Sequence, residues 1–142
     1  PLESVRQNPK YHPEGDALFH SLQVYELAKN ERAYDEEFLL AALLHDVGKA
    51  IDPSDHVMSG LEALDGFISD RTAWLIGHHM ETHRIADQTI GARRRRKLAA
   101  HPWYDDLLLL GQCDRGGRVP GAEVVEIEEA LDYIEGLEEM FG

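Results

Sequence analysis

Apolar residues recur along most of this chain at intervals of three and four, the spacing of one helical face. Residues 1–15, punctuated by Pro1, Pro9, Pro13 and Gly15, read as an irregular lead-in. Asp16 is placed to cap a helix running to about Asn30, with Leu18, Leu22, Tyr25 and Ala28 at helical spacing. Asp35 is placed to cap a second, with Glu36 and Glu37 favourable in its first turn. That helix carries the apolar run from Phe38 to Leu44, reads as buried, and is expected to end near Gly48. Ile51-Asp52-Pro53 predicts a turn, and Ser54 the start of a third helix carrying Val57, Leu61, Leu64 and Phe67/Ile68. Ser69-Asp70 opens a fourth helix that leads to His78-His79, and residues 84–91 read as a loop or a hairpin. The block from Arg93 to Lys97 starts another helix, broken at His101-Pro102.

From Trp103 to about Cys113 the chain predicts a strongly apolar helix, closed by Gly116-Gly117 and Pro120-Gly121. Residues 122–141 predict a C-terminal amphipathic helix, with Val124, Ile127, Leu131, Ile134, Leu137 or Glu138, and Phe141 backed by an acidic face. Strand alternation and internal repeats are absent. The expected fold class is all-α, an orthogonal helical bundle, with residues 1–142 forming a single domain.

Composition narrows the picture. A chain of 142 residues can bury a core without disulfides. Its one cysteine, Cys113, cannot form an intramolecular disulfide and suits a reducing cytoplasm. No apolar run approaches the ~20 residues of a membrane helix, so no membrane partner is expected. The formal charge of −13 argues against an extended nucleic-acid surface, which needs positive potential. Arg93 to Lys97 is the local exception, but five consecutive basic residues point all round a helix and read as a solvated face.

The chemistry concentrates at His45-Asp46, at the end of the apolar helix. An imidazole and a carboxylate are costly to bury there unless partnered. One reading is a hydrogen-bonded pair in which His45 favours the helix C-terminus. The other is a divalent metal, which satisfies both groups at once. Asp114 ends a second apolar helix, where a carboxylate opposes the carbonyl dipoles unless a cation lies beside it.

The order His20, His45-Asp46, Asp114 is the signature of the HD-domain superfamily of metal-dependent phosphohydrolases, which this chain resembles. The segment from Tyr11 to Asp16, with Leu22 and Val24, is similar to the opening of the HD module in bacterial CCA-adding tRNA nucleotidyltransferases. Cys113-Asp114-Arg115-Gly116-Gly117-Arg118 is similar to an Ala-Asp-Ala-Arg-Gly-Arg type segment there, with Arg118 the safer match for its arginine. The nucleotidyltransferase domain has no counterpart in this sequence, so the module is expected to stand alone.

The resemblance implies one or two divalent ions (Mn, Fe, Ni, Co, Zn or Mg) as cofactor. His20, His45, Asp46 and Asp114 would hold the first. In two-metal relatives further histidines follow the His-Asp pair, and His56 and His79 occupy comparable places, with Asp46 as the bridge. His79 fits better than its neighbour His78, although the adjacent pair leaves the register open. Otherwise His56 and His79 face the cleft as substrate or proton-transfer residues.

The implied activity is hydrolysis of a nucleotide or small phosphoester by metal-activated hydroxide. Asp46 and Lys49 are the candidate catalytic residues, and Lys49, Arg118 and His78 the candidate substrate-binding residues. Lys49 and Arg118 read equally well as a lysine at a helix C-terminus and a solvated loop arginine. His12 could donate a proton or pack, while His83 and His101 read as structural or exposed, and Trp74 and Trp103 as core. Two alternatives use the same scaffold: a di-iron oxygenase, and a non-catalytic metal-binding regulatory module.

Overall fold

A computed structural model describes residues 17–46 and 68–141. The expected lead-in, the helix from Ser54, and the positions of His12, Lys49 and His56 lie outside the described residues. Those described form seven helices and no strand: α1 (Ala17–Glu31), α2 (Glu36–Leu44), α3 (Asp70–His78), α4 (Glu81–Ala86), α5 (Ala92–Ala99), α6 (Tyr104–Gly116) and α7 (Ile127–Phe141). The fold is all-α.

Helix α2 is the hub, packed against α1, α3, α6 and α7. Phe38, Leu39, Ala41, Ala42 and Leu43 are completely buried, and Leu40 and Leu44 are partly buried against the same core. Around them close Val24, Tyr25 and Ala28 of α1, Leu75 and Ile76 of α3, Leu107, Leu110 and Cys113 of α6, and Ala130, Ile134 and Leu137 of α7. Burial pushes the Cys113 thiol up to about 11, so the one cysteine is a core residue rather than a nucleophile. No helix among the described residues is long and apolar enough to cross a membrane.

Four boundaries differ from expectation. Helix α2 closes at Leu44, ahead of Gly48, because the His45 ring takes the Ala42 carbonyl at 2.7 Å, which the Asp46 amide would bind in a continued helix. Residues 84–86 are helical, and the loop shortens to 87–91, turned by Asp87 accepting from Thr89 and by Gln88 at φ 64°. Helix α6 continues to Gly116, three residues past Cys113. Helix α7 starts at Ile127 rather than at residue 122, since Val124 and Val125 pack on the core from non-helical backbone. On α7 the buried stripe runs through Ala130, and Leu131 is 44% exposed.

The helices are tied together at the start of α2. Asp35 caps it by accepting from the Phe38 amide at 3.1 Å. Arg71 of α3 grips the same carboxylate with two bonds, of 2.6 and 2.7 Å, and donates to Asp106 of α6. Arg32 also donates to Asp106, at 2.8 Å. Burial works against ionising Asp35, but the bonds from Arg71 and Phe38 outweigh it and lower its pKa. Trp74 packs half-buried against the core and stacks on His101 at 4.1 Å, and Trp103 lies 6.0 Å from Trp74.

Arg71→Ala is expected to destabilise the protein by about 2 kcal/mol, between the values for exposed and buried pairs. Arg71→Lys should recover only part of this, because the two-pronged grip is lost. A lowered Asp35 pKa means that the stabilisation is complete above the ordinary carboxylate range and fades as pH falls through the folded value. Urea unfolding at neutral pH and at about pH 3 checks both: the difference between wild type and Arg71→Ala should shrink in acid.

Candidate metal centre

His20, from the first half of α1, points across the bundle to the end of α6. Its Nδ1 lies 2.8 Å from the Gly117 carbonyl. His45 follows the last residue of α2, and its Nδ1 faces the Ala42 carbonyl at 2.7 Å. His79 follows the last residue of α3 and repeats that geometry, with Nδ1 2.6 Å from the Ile76 carbonyl. A carbonyl can only accept, so each Nδ1 carries the hydrogen and donates. Whenever such a ring is neutral, it turns an Nε2 lone pair inward.

What those lone pairs meet are carboxylates. His20 Nε2 is 2.8 Å from Asp114 Oδ1 and 3.7 Å from Asp46 Oδ2. His45 Nε2 is 3.2 Å from Asp114 Oδ1 and 3.5 Å from Asp46 Oδ2. His79 Nε2 approaches the other oxygen of Asp46, Oδ1, at 3.7 Å. The His45 ring centroid is 5.3 Å from that of His20 and 5.1 Å from that of His79. His20, His45 and His79 are 1% exposed, Asp114 2% and Asp46 4%, so bulk solvent screens these groups little. Lone pairs facing carboxylates repel unless a positive charge lies between them, either a proton on each ring or a bound cation.

The titration directions carry the same imprint. Burial would lower the His45 pKa, but Asp46 and Asp114 overcome it and raise it. Burial would raise Asp114, but bonds to His20 and His45 hold it well below the usual carboxylate range. His20, His45 and Asp46 each offer a donor atom within 4.8 Å of the other two, with nitrogen and oxygen donors that fit a divalent cation. Asp114 is within hydrogen-bond reach of both histidines of that group.

Two close approaches set this geometry. A Cβ on Gly117 would lie 2.7 Å from Val24 Cγ2 and 3.1 Å from the Val24 backbone nitrogen, so glycine lets the loop lie against α1 and reach His20. A Cβ on Gly111 would lie 2.6 Å from Thr82 Cβ, so glycine seats α4 against α6. Thr82 also donates to the His79 carbonyl at 2.6 Å, fixing the turn between α3 and α4.

The remaining sequence candidates divide. His79 is in the cluster. His78 is turned to Glu81, 2.7 Å away, and to Arg94, and it lies against Trp74. Arg94 also grips Glu81 with bonds of 2.7 and 2.8 Å, chiefly responsible for a Glu81 pKa lowered to about 2, while Arg93, Arg95, Arg96 and Lys97 are exposed. Arg118 stands at the rim, Nη2 3.8 Å from Asp114 Oδ1. His83, read from sequence as structural or exposed, belongs to the site: its Nε2 is 3.1 Å from Asp114 Oδ2 and its side chain is one-third exposed. Local spacing carries no signal for it, because His79 closes α3 and His83 lies on α4, so the two share no helical face.

Comparison with known proteins agrees with this geometry. The HD domain family pattern matches residues 18–114, from α1 to Asp114. The chain is 46% identical over 56 residues to the Multifunctional CCA protein of Hahella chejuensis, covering 38% of this chain and 13% of that protein. It is 46% identical over 54 residues to that of Halorhodospira halophila, with the same coverage of 38% and 13%. The protein of that name from Acinetobacter baumannii strain AYE is 40% identical over 57 residues, 39% of this chain and 13% of its own length. The matched region is thus a small part of each relative. The family pattern spans more than half of the chain and takes in His20, His45, Asp46, His79, His83 and Asp114, and this chain belongs to the HD domain family.

Proposed function

We propose that the protein is a metal-dependent phosphohydrolase acting on a nucleotide or small phosphoester. The observation that carries this reading is the inward convergence of three Nε2 atoms on two buried carboxylates, each ring anchored at Nδ1 by a carbonyl. Such anchoring fixes both tautomer and orientation, as ligand histidines require. His20, His45, Asp46 and Asp114 would hold one ion. Asp46 turns Oδ2 to His20 and His45 and Oδ1 to His79, so with a second ion bound His79 would help hold it and Asp46 would serve both. His56 remains a proposed partner of that second ion.

A divalent cation held there supplies a Lewis acid that lowers the pKa of a water towards ~7 and polarises a phosphoryl oxygen. The chain's own groups do the rest. The two carboxylates set the charge of the pocket and limit how many further anions it accepts. Arg118, at the rim with Nη2 3.8 Å from Asp114 Oδ1, would take a non-reacting phosphate oxygen, and Lys49 is proposed for the same task.

Metal binding should depend on pH. In the metal-free protein the carboxylates favour protonated His45, so a proton must leave before the nitrogen can ligate. A His45 pKa raised above about 6.5 means that competition begins above that pH and strengthens as pH falls. Affinity for Co²⁺ or Mn²⁺, measured by titration calorimetry, should drop steeply from about pH 7.5 to about pH 5.5. Affinity that stays constant would point to a site without histidine.

Turnover tests the reaction class. Protein loaded with manganese, nickel or cobalt should hydrolyse members of a panel of nucleotides and aryl phosphates under strict anaerobiosis. His45→Ala and Asp46→Ala should fall to background with helical circular dichroism retained. Activity confined to iron with oxygen would assign the site to oxygenase chemistry. A metal-loaded protein inert on the panel in both regimes would favour the regulatory module.

A further inference from the structure

His83 adds a component to this site. It sits on α4, the one-and-a-half-turn helix wedged against α6 by Gly111. Arg115 of α6 donates to the Thr82 carbonyl at 3.4 Å, a second tie between the two helices. The result is that His83 Nε2 reaches Asp114 Oδ2 at 3.1 Å, while His20 and His45 occupy Oδ1. The two oxygens of one carboxylate are thus divided between an outer and an inner set of histidines.

That division decides what His83 can do. A carboxylate oxygen accepts, so His83 Nε2 carries the hydrogen and its lone pair lies on Nδ1, across the ring from Asp114. The ring in this orientation offers no electron pair to an ion bound at Asp114 Oδ1. It does resist rotation of the carboxylate. The terminal torsion of an aspartate is soft and roughly two-fold, so a carboxylate held only on its inner side can turn. Arg118 approaches the inner oxygen, at 3.8 Å, and leaves the outer one to His83.

Resting on the metal-centre reading above, we propose that His83 is a positioning residue. It donates to the outer oxygen of Asp114 and so keeps the inner oxygen aimed between His20 and His45. Loss of such a partner lowers metal affinity by about 10- to 100-fold without removing a ligand. Being one-third exposed, His83 also marks the side of the site that solvent reaches.

The test is Co²⁺ titration of the metal-free full chain, read by calorimetry and by the visible absorption of the bound ion. Wild type, His83→Ala and His83→Gln are compared, since glutamine keeps an N–H donor near the position of Nε2. His83→Ala should bind the wild-type number of ions about 10- to 100-fold more weakly, with an altered spectrum. His83→Gln should restore most of the affinity and the wild-type spectrum. Unchanged affinity in His83→Ala would overturn the proposal. So would the loss of one whole equivalent of metal in both variants, which would make His83 a ligand. Should His83→Ala lose helicity, the glutamine variant decides: weak binding by a folded His83→Gln contradicts positioning through a donated hydrogen. A wild-type chain that binds no Co²⁺ would instead remove the metal centre itself.

Discussion

Three imidazoles and two carboxylates meet in the interior with their accepting atoms turned towards one another, and everything around them follows from the need for positive charge between them. In water each group would be solvated separately. Here the most exposed of the five is at 4%, and the uncompensated alternative costs several kcal/mol per ion. Protons can meet the need, as the raised His45 pKa indicates. A divalent cation meets it with one particle and leaves coordination positions for substrate.

The scaffold brings these groups together from helices far apart in sequence. His20 and Asp114 are 94 residues apart and 2.8 Å apart in space. Their alignment needs α2 as a fixed axis, which its unbroken apolar run provides by packing against four other helices. It also needs close approaches that only glycine permits at positions 111 and 117. The Arg71 network, on the other side of α2, holds α3 and α6 in register with the start of that axis. Thus α2 carries the apolar hub, the charged tie at one end and the metal-ligating candidates at the other.

Much of this was legible in the sequence because it is local. Asp35 and Ser69 announce the caps that they make. The run Phe38 to Leu44 declares a buried helix, and His45-Asp46 at its end is chemically conspicuous. What local pattern could not supply were features set by tertiary contact. The early end of α2 depends on a ring taking the Ala42 carbonyl. The late start of α7 depends on valines packing on the core before the helix begins. The role of His83 comes from the docking of α4 on α6, made by the close approach at Gly111 and the Arg115 bond to the Thr82 carbonyl, which local pattern does not reveal. His78 and His79 are indistinguishable by spacing, and the turn after α3 separates them: one side chain faces the cluster, the other Glu81 and Arg94.

The most direct test is anomalous diffraction from crystals of the full chain grown with Mn²⁺ or Co²⁺, recorded on either side of the metal edge. The account predicts a peak enclosed by His20 Nε2, His45 Nε2 and oxygens of Asp46 and Asp114. It would be contradicted by an empty cluster in crystals whose ions sit only on surface carboxylates.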